Sequence, residues 1–154
     1  MRIAIGSDHA GFTLKQRFVA ELHRLGHEVM DLGTHAAEPP VDYPDYCIPV
    51  GEAVARAEVA RGIVLGGSGN GEAIAANKVP GVRAALVTSD ETARLSRLHN
   101  DANVLAVGGR TNPDHEQAVR WLHLWLDTGF EGGRHEARLK KISDYEHGLT
   151  RREA

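Results

Sequence analysis

One stretch of the chain brings together a carboxylate, a hydroxyl and a cluster of glycines. A strand predicted at 61–65 leads into Gly66-Gly67-Ser68-Gly69-Asn70-Gly71, and a short helix at 71–77 carries Glu72 in its first turn. Glycines leave room for a ligand and allow a left-handed backbone, and the free N–H groups at a helix start stabilise negative charge. Glu72 and Ser68 could therefore move a proton beside an oxyanion that develops on a small anionic or polyhydroxylated substrate.

Familiar glycine-rich motifs do not account for this turn. A dinucleotide fingerprint that begins at Gly67 would need a glycine at position 72, and the Gly-Lys-Ser/Thr ending of a P-loop is missing. The alternative is a flexible turn in which Glu72 is a solvated residue that favours the helix dipole by ~0.3–1 kcal/mol. As a base, Glu72 would need partial burial to raise its pKa. The residues alone leave both roles open.

Further polar side chains follow other predicted strands. Asp8 and His9 come after the first strand, and Arg110 comes after the fifth. Tyr43 lies in a loop at 33–45, whose length is typical of functional loops. Because ligands of parallel sheets bind outside the carboxyl ends of the strands, these side chains are candidates for a binding site.

Two more groups carry charge or hydrogen-bonding capacity. Arg134 and Arg138 lie one helical turn apart and, with Arg110, would suit a phosphate, although a basic solvated face explains them equally simply. His99 and Asn100 join a helix to a strand and therefore lie at the opposite edge of the sheet. They can take part only if their loop reaches back or if they belong to a neighbour's site.

The pattern of apolar residues places these side chains on alternating strands and helices. Strands are predicted at Arg2–Gly6, Glu28–Leu32, 61–65, Arg83–Val87 and Asn103–Val107. Helices are predicted at Gly11–Leu25, 45–58, 71–77, Ser89 to about His99, Asn112 to about Asp127, and about 135–147. This alternation predicts an α/β fold with a parallel sheet covered by helices on both faces. The last helix lies beyond the five-stranded unit and is expected to pack on a neighbouring subunit.

Composition limits the class of protein. With 154 residues, 42% of them hydrophobic and 25% charged, the chain is expected to form one globular domain over 1–154. A net charge of −3 argues against nucleic acid as the main partner. The N-terminus lacks a signal-peptide apolar region and no apolar run is long enough to cross a membrane, so a cytoplasmic protein is expected.

The sequence indicates neither a disulfide nor a metal site. Cys47 is the single cysteine, which fits a reducing compartment, and its apolar surroundings favour a buried small hydrophobe over a nucleophile. The nine histidines show none of the spacings typical of metal ligands, so no metal is predicted. Trp121 and Trp125 have the spacing of core residues.

Five blocks of sequence occur in one order along the chain. They are Ser7-Asp8-His9-Ala10-Gly11, Asp42-Tyr43-Pro44, Gly67-Ser68-Gly69-Asn70-Gly71-Glu72 with Ala75-Ala76-Asn77-Lys78, His99-Asn100, and Gly132-Gly133-Arg134-His135 with Arg138. Together, over about residues 1–147, they closely resemble the ribose-5-phosphate isomerase B family, which includes the galactose-6-phosphate isomerase subunits. The resemblance implies a Rossmann-like three-layer α/β/α sandwich with a five-stranded parallel sheet and an extra C-terminal helix. It also implies a homodimer, in some members paired into a tetramer, with active sites shared between subunits.

The resemblance further implies cofactor-free aldose–ketose interconversion of a phosphorylated sugar. By it, Asp8 and His99 open the sugar ring, while Ser68 and the N–H groups of the following turn stabilise an enediolate. The substrate-binding residues that it implies are His9, Tyr43, Gly67, Gly69, Asn70, Gly71, Asn100, Arg110, Arg134 and Arg138. Of these, His9 and the three arginines would form the phosphate site. His99, Asn100 and the three arginines would be presented across the dimer interface.

One departure from the family pattern concerns the base. Many members carry a cysteine base at the position of Gly66, and that thiol is absent here. The branch without the cysteine resembles this chain in having Asn-Gly-Glu after Gly-Ser-Gly, and its glutamate is the base. The resemblance therefore predicts that Glu72 moves a proton between C1 and C2 of ribose 5-phosphate and ribulose 5-phosphate through a cis-enediolate.

Two alternatives stay open at this stage. The chain could isomerise another phosphosugar, such as a tetrulose or hexose phosphate, because loops such as 33–43 and 88–92 set a pocket depth that sequence does not reveal. It could also be a non-catalytic module that binds a phosphorylated ligand on the same fold. The joint presence of the base, the ring-opening pair and the arginines argues against the second alternative.

Overall fold

Five parallel strands form the centre of the computed structural model, which describes residues 1–148. In the order β2-β1-β3-β5-β4, they are β1 (Arg2–Ser7), β2 (Glu28–Asp31), β3 (Arg61–Gly66), β4 (Ala84–Leu86) and β5 (Val104–Gly108). In the central register, Ile5 of β1 lies opposite Asp31 on one side and Ile63 on the other. The predicted five-stranded parallel sheet is confirmed. The last part of the expected 1–154 domain, residues 149–154, lies outside the described residues.

Helices cover both faces of this sheet. The described residues contain α1 (Phe12–Arg24), α2 (Pro44–Ala55), α3 (Asn70–Ala76), α4 (Asp90–Leu98), α5 (His115–Asp127) and α6 (Arg134–Glu146). One face packs against α1, α4 and α5, and the other packs against α2 and α3. These are the three layers that the alternation of elements predicts.

The two faces of the sheet differ in the size of their side chains. Toward α1 and α5 the strands present isoleucine, leucine and valine, which pack against Phe18, Trp121 and Trp125. Toward α2 and α3 they present mainly alanine, valine and glycine, so these helices come closer. A Cβ added at Gly62, for example, would lie 2.7 Å from Cγ1 of Val50 in α2. The prediction that both tryptophans are core residues is confirmed.

The strand order creates a crevice at the carboxyl end of the sheet. The chain goes from β1 to its neighbour β2 on one side and then crosses over to β3 on the other side of β1. At such a reversal the loops after the two central strands separate, and ligands bind between them. The loop after β1 carries Asp8 and His9, and the loop after β3 is Gly66–Gly71, called here the glycine turn.

Some elements end earlier than their sequence pattern suggests. The helix predicted at 45–58 is α2, which ends at Ala55 because Arg56 closes it and Ala57 has a positive φ of 56°. The strand predicted at Arg83–Val87 shortens to β4. At its start, the N–H of Arg83 donates to the side-chain oxygen of Asn103 at 2.7 Å instead of to a neighbouring strand.

The last helix, α6, lies outside the two-sided core. His135 is the one buried residue of its thirteen, while Ile142 and Tyr145 are 49% and 71% exposed. The helix is held to the rest of the chain near its end, where Glu146 accepts a hydrogen bond from the N–H of Gly81 at 3.0 Å. That α6 packs on a partner subunit stays a prediction. Within residues 1–148, no helix combines the length and apolar character that crossing a bilayer requires.

Candidate active site

Glu72 lies inside the crevice with its carboxylate directly over Gly66. The residue is only 3% exposed, so the alternative of a solvated first-turn glutamate is wrong. A Cβ added at Gly66 would overlap both Oε1 and Cδ of Glu72. The carboxylate therefore occupies the space that any side chain at position 66 would need.

The surroundings of Glu72 change its proton affinity. Burial raises the pKa of the Glu72 carboxyl, and the negative charge of Asp8 raises that pKa further. The backbone N–H groups of Glu72 and Gly69 act in the opposite direction, because they donate hydrogen bonds to the carboxylate. The raised pKa makes Glu72 a stronger proton acceptor than an ordinary surface glutamate, as a general base near neutral pH requires.

Asp8 is the second carboxylate at this edge of the sheet. It is 7% exposed, and its Oδ1 accepts hydrogen bonds from the N–H groups of Ala10 at 2.9 Å and Gly11 at 3.0 Å. These bonds fix the carboxylate at the entry to α1, near enough for its charge to act on Glu72. The structure thus pairs two acid–base groups that lie 64 positions apart in the sequence.

The glycine turn holds Ser68 at the mouth of the crevice. Gly69 has a φ of 82°, and a Cβ there would lie 2.6 Å from Cδ1 of Leu86, so only glycine fits. The hydroxyl oxygen of Ser68 accepts from the backbone N–H and the side-chain amide of Asn70, both at 3.2 Å. Because these bonds use the oxygen as an acceptor, the hydroxyl hydrogen remains available to a ligand.

The loop at 33–43 covers the crevice from the side of β1. The ring of Tyr43 lies against the glycine turn, since a Cβ at Gly71 would be 2.6 Å from its Cζ. Nδ1 of His9 lies 3.1 Å from the N–H of Val41, which can donate to it, and 3.2 Å from the carbonyl oxygen of Val41, to which an Nδ1–H can donate. When Nδ1 accepts, the neutral ring carries its hydrogen on Nε2, which can then donate to an anion.

Arg110 lies beside the glycine turn of its own chain. Its backbone N–H donates to the carbonyl oxygen of Gly67 at 3.0 Å, and a Cβ at Gly67 would be 3.8 Å from Cδ of Arg110. The expectation that Arg110 is presented to a partner's site is therefore wrong. Because β3 and β5 are neighbours in the sheet, residues that follow them meet at one edge of the same subunit.

The other predicted site residues form a second group at the opposite edge. The rings of His99 and His135 stack with centroids 4.2 Å apart and planes 16° apart. Arg138 contacts His135, with Nη1 to Nδ1 at 3.4 Å, and Arg134 precedes His135 as the first residue of α6. The exposed Asn100 lines a groove of about 340 Å³ beside α6.

The structure therefore divides the predicted site residues into two half-sites. The crevice half-site contains Asp8, His9, Tyr43, Gly67, Ser68, Gly69, Asn70, Gly71, Glu72 and Arg110. The α6 half-site contains His99, Asn100, Arg134 and Arg138. One subunit does not bring the two half-sites together, because α4 and its following loop run back to the amino end of the sheet.

Sequence reasoning missed one residue of the α6 half-site and gave another no role. Oε2 of Glu131 lies 3.7 Å from Nε2 of His99 and 3.6 Å from Nε2 of His135. Within residues 1–148, Nε2 of the buried His135 has no hydrogen-bond partner. The position of Glu131 directly before the Gly-Gly-Arg-His block is the one signal in the sequence that could have drawn attention to it.

Neither a metal site at His99, Glu131 and His135 nor a nucleophilic Cys47 is supported by the geometry. Zinc lies in the plane of each ligating ring at ~2.0–2.1 Å, and two nearly parallel stacked rings cannot both meet that condition. Cys47 is fully buried, as predicted, and burial raises the pKa of its thiol, which disfavours the thiolate that a nucleophile requires.

Comparison with known proteins identifies close relatives along nearly the whole chain. A family model described as Ribose/Galactose Isomerase matches residues 3–142. The ribose-5-phosphate isomerase B of Escherichia coli is 46% identical over 145 residues, which cover 94% of this chain and 96% of that relative.

Solved structures are equally similar. The ribose-5-phosphate isomerase B of Clostridium thermocellum superposes with a TM-score of 0.93 at 49% identity, covering 97% of this chain and 100% of that one. The Mycoplasma genitalium enzyme, solved with bound ribulose-5-phosphate, has a TM-score of 0.90 at 40% identity and covers 95% and 96% of the two chains.

Proposed function

The chain belongs to the ribose/galactose isomerase family, and from that premise we propose that it interconverts ribose 5-phosphate and ribulose 5-phosphate with Glu72 as the base. The observation that carries the choice of base is the buried Glu72 carboxylate over Gly66. Many members of this family carry a cysteine base at the position of Gly66. This chain has no side chain there, and the Glu72 carboxylate fills the space that one would occupy. The aldose–ketose isomerase activity accords with relatives that cover nearly its whole length.

The reaction requires one proton to move between neighbouring carbons. Glu72 removes the proton from C2 of the open-chain aldose, and the electron pair forms the C1–C2 double bond of a cis-enediolate while O1 gains negative charge. The proton on O2 then passes to O1, the C2–O2 bond becomes the carbonyl of the ketose, and Glu72 returns its proton to C1. A base with a raised pKa suits both halves of this exchange, because it must accept the proton and later release it.

The glycine turn stabilises the charge that develops on oxygen. Ser68 keeps a free hydroxyl hydrogen, and the open space at Gly67, where a Cβ would meet no atom nearer than 3.7 Å, allows the sugar to approach the backbone. Donors placed in this way are worth roughly 2.7–4 kcal/mol each in comparable sites. Tyr43 packs against the turn and would bind a sugar hydroxyl at its rim, as would Asn70.

The remaining steps need the α6 half-site of a second subunit. We infer a homodimer in which His99 and Asn100 of one subunit reach the crevice of the other. Ring opening then uses Asp8 and His99: the C1 hydroxyl loses a proton, the C1–O4 bond breaks, and O4 gains a proton. Arg134 and Arg138 of the α6 half-site bind the phosphate together with His9 and Arg110 of the crevice. Remote binding of this kind positions the reacting carbon against the base.

The experiment that tests this function is a panel of C4–C6 aldose and ketose phosphates with pure protein in EDTA. We expect the highest kcat/KM for ribose 5-phosphate and undiminished activity without metal. Glu72→Gln should abolish isomerisation while sugar-phosphate binding remains measurable. Glu58→Gln, which changes an exposed glutamate after the end of α2 and outside both pocket loops, serves as the control. Near-full turnover by Glu72→Gln would remove Glu72 from the role of base.

A further inference from the structure

His99 is held in place by two groups from the region around the start of α6. Its ring stacks on that of His135, with centroids 4.2 Å apart, and His135 is only 5% exposed. The N–H of Glu131 donates to the carbonyl oxygen of Leu98 at 3.0 Å, which ties the segment before α6 to the end of α4. This bond brings the Glu131 carboxylate beside both imidazole rings.

The hydrogen bonds around His135 define which nitrogen carries its hydrogen. A guanidinium can only donate, so Nη1 of Arg138, 3.4 Å away, requires Nδ1 of His135 to accept. The hydrogen of a neutral His135 is then on Nε2, which faces Oε2 of Glu131 at 3.6 Å. Burial, the nearby His99 and Arg134 lower the pKa of His135, which favours that neutral ring.

The same carboxylate faces His99. Its Oε2 lies 3.7 Å from Nε2 of His99, which is longer than a hydrogen bond. Catalytic hydrogen bonds are often this long without substrate and shorten when the substrate binds. With Nε2 directed at Glu131, the atom of His99 left for the substrate is Nδ1, which has no hydrogen-bond partner among the described residues. The charged or titratable groups near the stacked pair of rings are Glu131, which faces both, and Arg134 and Arg138, which lie near His135.

We propose that Glu131 and His135 are positioning residues that fix the ring of His99 for opening of the sugar ring. Glu131 orients the imidazole and stabilises it when it carries a positive charge, and stacking on His135 prevents rotation. Nδ1 of the charged His99 then gives its proton to O4 as the C1–O4 bond breaks, while Asp8 accepts the proton of the C1 hydroxyl. The proposal rests on the proposed function, since it concerns a step of that reaction and a half-site presented to a second copy of this chain.

The test uses ribose 5-phosphate with deuterium at C2, because the isotope effect reports how far proton removal limits the rate. In Glu131→Gln we expect kcat/KM to fall about tenfold or more. The loss should be smaller than the ~10²–10⁴-fold that a general acid or base contributes, because His99 itself is still present. The deuterium isotope effect on kcat/KM should shrink toward unity, because ring opening becomes slower than proton removal. His135→Phe, which keeps a flat ring for stacking, should retain more activity than His135→Ala.

The control is Glu136→Gln, which removes an exposed carboxylate from the first turn of the same helix. It should leave both the rate and the isotope effect unchanged. A Glu131→Gln enzyme with normal kcat/KM, or one with raised KM and an unchanged isotope effect, would overturn the positioning role. Failure of the proposed function would look different, because the unaltered chain itself would not isomerise ribose 5-phosphate.

Discussion

Gly66 and Glu72 act as one structural unit at the scale of single residues. Burial removes water from the Glu72 carboxylate, and two backbone N–H donors replace part of that hydrogen bonding. The missing side chain at Gly66 leaves the space in which the carboxylate lies. Asp8 adds unfavourable like charge and so raises the pKa of Glu72 instead of stabilising its ionised form. The observed position of the Glu72 carboxylate therefore requires that residue 66 has no side chain.

This dependence predicts that Gly66→Ala inactivates the enzyme although it removes no functional group. The new methyl group would overlap Oε1 and Cδ of Glu72, so the carboxylate must leave its position. We expect kcat to fall by ~10²-fold or more, which is the range that a displaced general base costs. The measurement is kcat for ribose 5-phosphate, with circular dichroism to verify the fold.

The matched control is Gly129→Ala. Position 129 has open space where a Cβ would lie and no positive φ, so a methyl group there meets neither a clash nor backbone strain. Its kcat should equal that of the unaltered chain. If Gly66→Ala kept full activity, the observed packing of Glu72 over Gly66 could not be the active arrangement.

Residue types and spacing identified Glu72 and Ser68 as candidates, but not their environment. Burial depends on contacts with elements distant in sequence, so the choice between a solvated and a buried Glu72 needed the structure. The same limit explains Glu131, whose proximity to His99 arises from a hydrogen bond to Leu98 that no local pattern encodes. The catalytic roles of Glu72, Asp8 and His99 stay predictions.

At the scale of elements, a cluster of charges joins α1 to α5. The carboxylate of Glu21 is 6% exposed and accepts hydrogen bonds from Arg24 at 2.6 Å and from Nε2 of His123 in α5 at 2.6 Å. Arg17 spans the same two helices, because its Nε donates to Glu116 at 2.8 Å. The hydrogen bonds from Arg24 and His123 lower the pKa of Glu21 from 4.5 to about 2.

This shift predicts a pH-dependent contribution to stability. Between pH 4.5 and 2 the unfolded chain binds the proton and the folded chain does not, so the free energy of unfolding rises with pH across this window. The contribution of Glu21 is complete above pH 4.5 and is lost as the pH falls toward 2. Glu21→Gln should therefore lower the urea midpoint at pH 7, and the difference from the unaltered chain should diminish by about pH 3.

Glu38→Gln changes an exposed loop glutamate and provides the comparison. Its urea midpoint should match that of the unaltered chain at both pH values. A Glu21→Gln midpoint that differs by the same amount at pH 7 and at about pH 3 would show that the ionised carboxylate does not stabilise the α1–α5 contact.

The secondary-structure elements could be predicted from the sequence more fully than the environment of single residues. Every strand and helix within residues 1–148 was anticipated, because strands β1, β3 and β5 are short apolar runs and α1, α4 and α5 carry apolar periodicity. The errors fell at ends, where one backbone angle such as that of Ala57 decides whether a helix continues. Side-chain to backbone bonds, such as Asn103 to Arg83, have a similar effect at β4.

At the scale of the whole molecule, the two half-sites occupy opposite edges of one sheet. Alternation of strands and helices determines that His99 comes at the amino edge, so its separation from Glu72 could be deduced from sequence. The strand order β2-β1-β3-β5-β4 could not be deduced, and it is this order that places Arg110 beside the glycine turn. A shared site between subunits is the arrangement that uses every residue of the resemblance.

A shared site predicts that two inactive variants restore each other's activity. One variant carries Glu72→Gln, and the other carries His99→Ala with Arg134→Ala. In a hybrid dimer the crevice of the second variant faces the α6 half-site of the first, and that one site is intact. Random exchange of equal amounts should give hybrids as half of all dimers, so about a quarter of the sites would work in a twofold-symmetric assembly.

The matched control mixes Glu72→Gln with Asp8→Asn. Both residues belong to the crevice half-site of one subunit, so every crevice in the hybrid carries one defect and no activity should return. The amide oxygen that Asp8→Asn introduces would still accept the hydrogen bonds from Ala10 and Gly11, which protects the fold of the control. Recovery in the first mixture but not in the second requires that His99 and Arg134 act in the partner's crevice. If neither mixture recovers after verified subunit exchange, His99 and Arg134 do not act in the crevice of the partner, and the shared site is wrong.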